Sequence, residues 1–146
     1  MTQQQPRGRV VGLDHGTQRI GLAVADPLRL FAQPVGAVPP GEVVGRLEEI
    51  AEGEGLAALV VGWPLLPSGE EGKAAERVAA FMEELQAAFP EARVERRDER
   101  HTSEMAKDTI REVGERRSGE PLFEKERVDA AAAALILQDW LDAQSG

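Results

Sequence analysis

Acidic residues recur at three places where an apolar segment of the chain ends. These are Asp14 in Gly-Leu-Asp-His-Gly-Thr-Gln-Arg-Ile-Gly (residues 12–21), Asp98 and Glu99 in Asp-Glu-Arg (98–100), and Asp129 in Arg-Val-Asp-Ala-Ala (127–131). An unpaired charge at such a position is costly, and a divalent metal ion shared by all three would remove the cost. The chain has no cysteine, so any metal must be held by oxygen or imidazole. Carboxylate oxygens are hard donors, which favour Mg²⁺ or Mn²⁺ over zinc. The chemistry expected of such a set is two-metal hydrolysis of a phosphodiester: one ion activates water, the other stabilises the leaving oxygen, and the two stand about 4 Å apart.

Each carboxylate can be placed on a local pattern. Strand alternation puts Val11 and Leu13 on one face and Gly12 and Asp14 on the other. Gly12 and Gly16 then leave room for a metal or phosphate to approach Asp14, and Arg19 is placed to pair with either the carboxylate or a phosphate. Asp-x-Gly-Thr is also an ordinary turn sequence. In the second stretch, one of Asp98 and Glu99 must point along the sheet edge toward Asp14. A surface ion pair of Glu99 with Arg96 or Arg100 is the competing reading, worth at most about 1 kcal/mol. Asp129 is the most telling, because positions 129, 133, 136 and 140 fall on one helical stripe. Ala133, Ile136 and Trp140 make that stripe apolar, so Asp129 faces the sheet, and the alanines at 130–134 let this turn approach another element closely.

The elements that must carry these residues follow from the hydrophobic periodicity. Residues 10–13 and 19–25 read as two apolar strands joined around Gly16-Thr17-Gln18, with 31–38 a third strand of an antiparallel meander. From Glu42 the spacing of Val43, Val44, Leu47 and Ile50 is helical, stopping near Gly53 and Gly55. Residues 56–61 form a continuous apolar run, the pattern of a strand buried on both faces. A second helix carries Ala75, Val78, Ala79, Met82, Leu85 and Phe89 on one stripe and stops before Pro90. Residues 92–97 are a charged strand delivering Asp98 and Glu99. Thr102 or Ser103 caps a third helix closed by Gly114. Residues 114–126 read as a mobile loop, and a last helix runs from about Glu126 to Ala143. The fold class is α/β, a mixed sheet flanked by helices in the order βββαβαβαα. One domain covers residues 1–146, with 1–8 and 144–146 expected to fray.

Composition bounds the function classes. No apolar run approaches the roughly 20 residues of a membrane span, and the first residues lack a hydrophobic signal core, so a cytoplasmic location is expected and no membrane partner. The net charge of −9 argues at first against nucleic acid, whose phosphates are bound by Lys and Arg. The distribution matters more than the sum: residues 93–127 hold 10 basic and 10 acidic side chains, and the rest of the chain holds 7 and 16. A local basic surface is compatible with that balance.

Gly-Leu-Asp-His-Gly-Thr-Gln-Arg-Ile-Gly-Leu-Ala-Val-Ala-Asp-Pro, Val-Val-Gly-Trp-Pro-Leu, Glu-Glu-Gly, Asp-Glu-Arg-His-Thr-Ser and Val-Asp-Ala-Ala-Ala-Ala-Ala-Leu-Ile-Leu-Gln occur in that order. Together they resemble the YqgF family, also called RuvX, over residues 10–141. The resemblance implies a ribonuclease H-like fold and a metal-dependent nuclease. The family is described either as a Holliday-junction resolvase or as an enzyme maturing the 5′ end of pre-16S rRNA. It selects Glu99 over Asp98. Asp14, Glu99 and Asp129 are then the expected catalytic metal ligands, and in a two-metal scheme Asp14 would bridge the ions while Glu99 and Asp129 would hold one each. Trp63 and His101 stand where the family usually has leucine, which bears on substrate preference.

The substrate is expected to be nucleic acid, precursor rRNA or branched DNA, held through its phosphates by Arg19, Arg100, Lys107 and Arg111. Lys107 and Arg111 could equally pair with Glu104 and Asp108 on their own helix. The loop 114–126 reads either as a cover for bound nucleic acid or as a plain connection. Trp63 could stack on a base or cover the core, and His101 reads as a surface residue. Junction cleavage requires two symmetric cuts and so favours a homodimer, whereas rRNA trimming suits a monomer. A competing class is the phosphate-binding turn of actin-like ATPases, which Asp-x-Gly-Thr also resembles. Those proteins enclose a nucleotide between two such domains, and this chain supplies one.

Overall fold

The computed structural model describes residues 7–99 and 121–145. The expected third helix, and with it His101, Arg100, Lys107 and Arg111, lies outside the described residues.

The strands are β1 (Arg9–His15), β2 (Ile20–Ala25), β3 (Ala32–Val38), β4 (Leu56–Trp63) and β5 (Arg93–Asp98), and the helices are α1 (Val43–Ala51), α2 (Lys73–Ala88) and α3 (Pro121–Ser145). They form one five-stranded sheet in the order β3-β2-β1-β4-β5. β2 runs antiparallel to β1 and β3, whereas β1, β4 and β5 are mutually parallel. This is the mixed sheet that the periodicity predicts. β4 is buried at every position, because it lies in the interior of the sheet with helices over both faces.

Alternation along the strands divides the core in two. Val11, Leu13, Leu22, Leu59 and Val61 pack beneath Val43 and Leu47 of α1 and Val78, Phe81 and Leu85 of α2. On the other face Val10, Ala23 and Val60 meet Ala133, Ile136, Leu137 and Trp140 of α3. Fully burying an aliphatic side chain such as Ile136 or Leu137 contributes about 1.5–3 kcal/mol, so α3 is fastened between Ala130 and Leu141.

Two expectations are corrected. The buried seam of α2 runs through Ala75, Val78, Phe81 and Leu85, with Ala79 exposed; the bulkier Phe81 turns the helix so that its ring enters the core. The last helix starts at Pro121, so residues 121–126, expected in the loop, are helical. Proline at a first helical position has no N–H to leave unsatisfied and a φ already suited to the helix, which makes Pro121 a start signal rather than a loop marker.

Candidate active site

The parallel strands β1, β4 and β5 bring Asp14, near the end of β1, and Glu99, one residue past β5, to the same end of the sheet. Alternation then decides which acid of the Asp98-Glu99 pair joins Asp14. Val94 packs into the core beneath α1 and α2. Arg96 has the same parity and lies over the ring of Trp63, 4.5 Å from its centroid. Asp98 shares that parity. Glu95, Arg97 and Glu99 take the α3 side: Trp140 Nε1 donates to Glu95 Oε1 at 3.4 Å, and Arg97 pairs with Asp139. The backbone N–H of Glu99 donates to the carbonyl of Trp63 at 3.2 Å, which carries the strand geometry one residue further.

The Glu99 carboxyl lies above Gly62, where an added Cβ would stand 2.6 Å from Oε2. It shares a hydrogen bond with Asp14. Burial first, then that bond and the charge of Asp14, push the Glu99 carboxyl up to about 9. Two adjacent acids in a low-dielectric site cannot both ionise without a compensating cation, so the pair retains a proton at neutral pH.

Asp129 reaches the same end of the sheet because α3 lies almost on the backbone of β1 and β2. Gly21 pairs with Asp14 across the hairpin, and any Cβ on Gly21 would overlap the carbonyl oxygen of Asp129. Gly12 lies under the next turns, where a Cβ would come within 2.6 Å of Leu137 Cβ and 2.8 Å of the Ala133 carbonyl oxygen. The space at Gly12 expected for a metal or phosphate is therefore filled by α3. Asp129 is partly buried and accepts a hydrogen bond from Arg19 Nε at 3.2 Å. Burial pushes its carboxyl up; Arg19 opposes the shift and Asp14 adds to it.

Arg19 is presented by the β1–β2 turn, closed by the bond from the Gly16 N–H to the Arg19 carbonyl at 2.9 Å. A Cβ at Gly16 would stand 2.6 Å from that carbonyl oxygen. Gly16, Thr17, Gln18, Arg19 and Asp129 line a shallow cavity of about 190 Å³.

The donor set suits a hard cation. Asp14 and Glu99 present carboxylate oxygens to each other, and a divalent ion can replace the proton they share. Among the described residues no three acidic or imidazole side chains stand close enough together to enclose an ion, since Asp129 meets Arg19 instead. The structure thus brings Asp14, Glu99, Asp129 and Arg19 to one end of the sheet, with the first two in contact and the second two paired. His15, beside Asp14 in sequence, points to the opposite face and packs against Phe81, ring centroids 4.6 Å apart; burial, followed by the nearby Arg77, lowers its pKa despite a backbone hydrogen bond that raises it. Trp63 is buried in the core, so the base-stacking alternative does not apply to it.

The close-approach role of Gly21 and Gly62 was not read from the sequence. The available signal was small residues at helix-facing positions on neighbouring strands.

The sheet order, the helices over its two faces and the Asp14–Glu99 carboxyl pair at the ends of its parallel strands are those of a ribonuclease H-like fold. A solved structure of similar fold, Thermus thermophilus RuvC, aligns over 94% of this chain and 96% of its own with a TM-score of 0.53 at 19% identity. The family model described as "RuvX: Holliday junction resolvase" matches residues 8–143. A relative from Salinibacter ruber is 49% identical over 142 residues, covering 97% of this chain and 98% of the relative. One from Rubrobacter xylanophilus is 40% identical and covers 97% of each. Both carry the name "Putative pre-16S rRNA nuclease". The chain belongs to the RuvX family. The Asp-x-Gly-Thr turn is therefore part of a nuclease-family motif rather than of an actin-like ATPase.

Proposed function

We propose that the protein is a metal-dependent endonuclease that hydrolyses nucleic-acid phosphodiesters and trims the 5′ end of precursor 16S rRNA. The contact between the Asp14 and Glu99 carboxyls, with Asp129 held by Arg19 at the same end of the sheet, is the observation that carries this reading. Divalent ions, Mg²⁺ or Mn²⁺, would be held by Asp14, Glu99 and Asp129, and would supply an activated water and stabilise the leaving oxygen.

The chain's own residues set the conditions for that chemistry. Glu99 gives up its proton when a cation binds, so occupation of the site grows with pH. Asp14 is fixed at the end of β1 by the ladder to Gly21 and would hold metal together with Glu99. Arg19 holds Asp129 until a substrate phosphate competes for the guanidinium, whose fork of N–H donors matches phosphate oxygens. That exchange places the phosphate in the cavity bounded by Gly16–Arg19 and frees Asp129 to act as a ligand. Arg100, Lys107 and Arg111 are proposed as further phosphate contacts on sequence grounds.

The family description favours a second reading, cleavage of four-way DNA junctions, whose two symmetric cuts would suit a homodimer. Both are tested by offering a synthetic four-way junction and a precursor 16S 5′-leader RNA side by side with Mg²⁺ or Mn²⁺, using Asp14→Asn as the blank. Cutting of the leader alone supports rRNA maturation. Paired symmetric nicks in the junction alone support the resolvase. Full activity in EDTA excludes the metal-dependent scheme.

A further inference from the structure

A cavity opens at the opposite end of the sheet from the carboxylates. It measures about 520 Å³ and is lined by Arg7, Gly8, Arg9, Asp26, Arg29 and Glu54 among others. Three guanidinium-bearing residues around one cavity run against the net charge of −9. The two acids there are engaged. Asp26 accepts backbone N–H bonds from Leu28 at 3.2 Å, Leu30 at 2.8 Å and Phe31 at 2.7 Å, and Glu54 stands 3.7 Å from Arg9.

The loop that borders this cavity, residues 26–31, is built rigidly. Besides the Asp26 bonds, Gln138 of α3 accepts from the Ala32 N–H and donates to the Leu30 carbonyl, both at 2.9 Å. Arg29 has φ of 57°, and among the described residues it is the one non-glycine in the left-handed region. A side chain there carries a steric cost that glycine avoids, and strain of this kind clusters at functional sites. The Arg29 guanidinium donates to the Gly8 carbonyl at 3.2 Å, so it reaches the start of β1 from the loop. The loop also exposes Leu28 (77%), Leu30 (49%) and Phe31 (66%); Phe31, expected in the third strand, precedes it.

We propose that this cavity and loop bind a single-stranded stretch of the nucleic-acid substrate distant from the cleaved bond, an extension that rests on the nuclease reading above. Arg9 and Arg29 hold a backbone phosphate, and Phe31 offers a ring on which a base stacks. Guanidinium groups around a cavity and an exposed aromatic on the loop that borders it are the kinds of group that bind single strands without reading sequence. Arg9 and Asp14 are five residues apart on β1, about 17 Å at the rise of a strand. That length is a lower bound on the path between the two sites, because helices cover both faces of β1.

The test is fluorescence anisotropy of the full chain in EDTA with single-stranded RNAs of about two and about fifteen nucleotides, the shorter unable to join Asp14 to the cavity and the longer able to. The longer strand is expected to bind at least roughly tenfold more tightly, and Phe31→Ser to weaken it roughly fivefold or more. Arg29→Gly relieves the backbone and so preserves the fold. It is expected to weaken the longer strand and flatten the salt dependence of log K by about 0.7 for each phosphate that is no longer neutralised. If both variants bind the longer strand as wild type does, with unchanged thermal unfolding, the proposal is overturned and the loop is left for a protein partner. Wild-type enzyme that cuts neither leader RNA nor junction would sink the nuclease reading instead, and the binding comparison separates the two failures.

Discussion

Gly12→Ala tests whether the spacing between α3 and the sheet sets the active site. The new methyl would sit 2.6 Å from Leu137 Cβ and 2.8 Å from the Ala133 carbonyl oxygen, where ordinary contact begins at 3.4 Å. Neither neighbour is the free end of a flexible side chain, so α3 itself must retreat, by about 0.6–0.8 Å. Overpacking of this kind costs about 1–3 kcal/mol, which this chain should survive as a folded protein with a lowered Tm. Catalysis is less forgiving, since a misplacement of about 1 Å can cost about a hundredfold. Asp129 lies one turn before Ala133 and moves with it, away from Asp14. The expected result is a roughly ten- to hundredfold fall in kcat for cleavage, a smaller change in KM, and an unchanged far-UV spectrum. A folded Gly12→Ala protein with kcat within about twofold of wild type would refute the reasoning. Gly21→Ala, whose methyl would overlap the Asp129 carbonyl, should be the more damaging of the two.

Gly45→Ala is the matching control. Nothing lies within 4 Å of the added methyl, and within helix α1 alanine should stabilise the protein by about 0.5–1 kcal/mol, seen as a higher Tm with unchanged turnover. Glu99 yields a pH prediction. Its folded-state pKa is raised to about 9 from an ordinary 4.5, so the metal-free native state holds a proton that the unfolded chain releases. Stability of the metal-free protein should fall as pH rises between those values; Glu99→Gln should flatten that slope in thermal melts at pH 6 to 9, and an unchanged slope would assign it to other groups. Over the same range Mn²⁺ affinity, measured by calorimetry, should increase with pH as the proton is displaced. Arg19→Gln is expected to raise KM for nucleic acid while leaving Mn²⁺ affinity equal or tighter, because it removes the cation that competes for Asp129. Weaker Mn²⁺ binding in that variant would mean that Arg19 orders the carboxylate instead.

Much of the architecture was legible in the chain because it rests on short-range periodicity. The alternation around Asp14, the unbroken apolar run of β4 and the Asp129 stripe of α3 are patterns that burial imposes locally. They placed five strands correctly and put Asp129 toward the sheet. The start of α3 was misread because Pro121 follows two glycines and a charged stretch, a composition that suits a loop, while its compatibility with a first helical turn is positional. The seam of α2 shifted to Phe81 for a similar reason: several apolar stripes were available, and contact with the sheet selected the one with the largest side chain.

The choice between Asp98 and Glu99 shows where local reasoning stops. Parity along β5 separates them, but knowing which parity faces Asp14 requires knowing that Val94 shares a core with Val11 and Leu13 and that α3 covers the other face. Here the family resemblance made the selection, and the alternation in the structure supplies its physical reason. The sequence by itself determined the residue types, three separated acids, an arginine and no cysteine, and hence a preference for hard cations. It also determined the elements that carry the acids. Only the tertiary structure decided that the Glu99 and Asp14 carboxyls touch, that Asp129 is engaged by Arg19, and that Gly12 and Gly21 serve the approach of a helix. Those are distances between segments up to 125 residues apart, from Gly12 to Leu137, and they depend on how closely layers pack, which local periodicity does not encode.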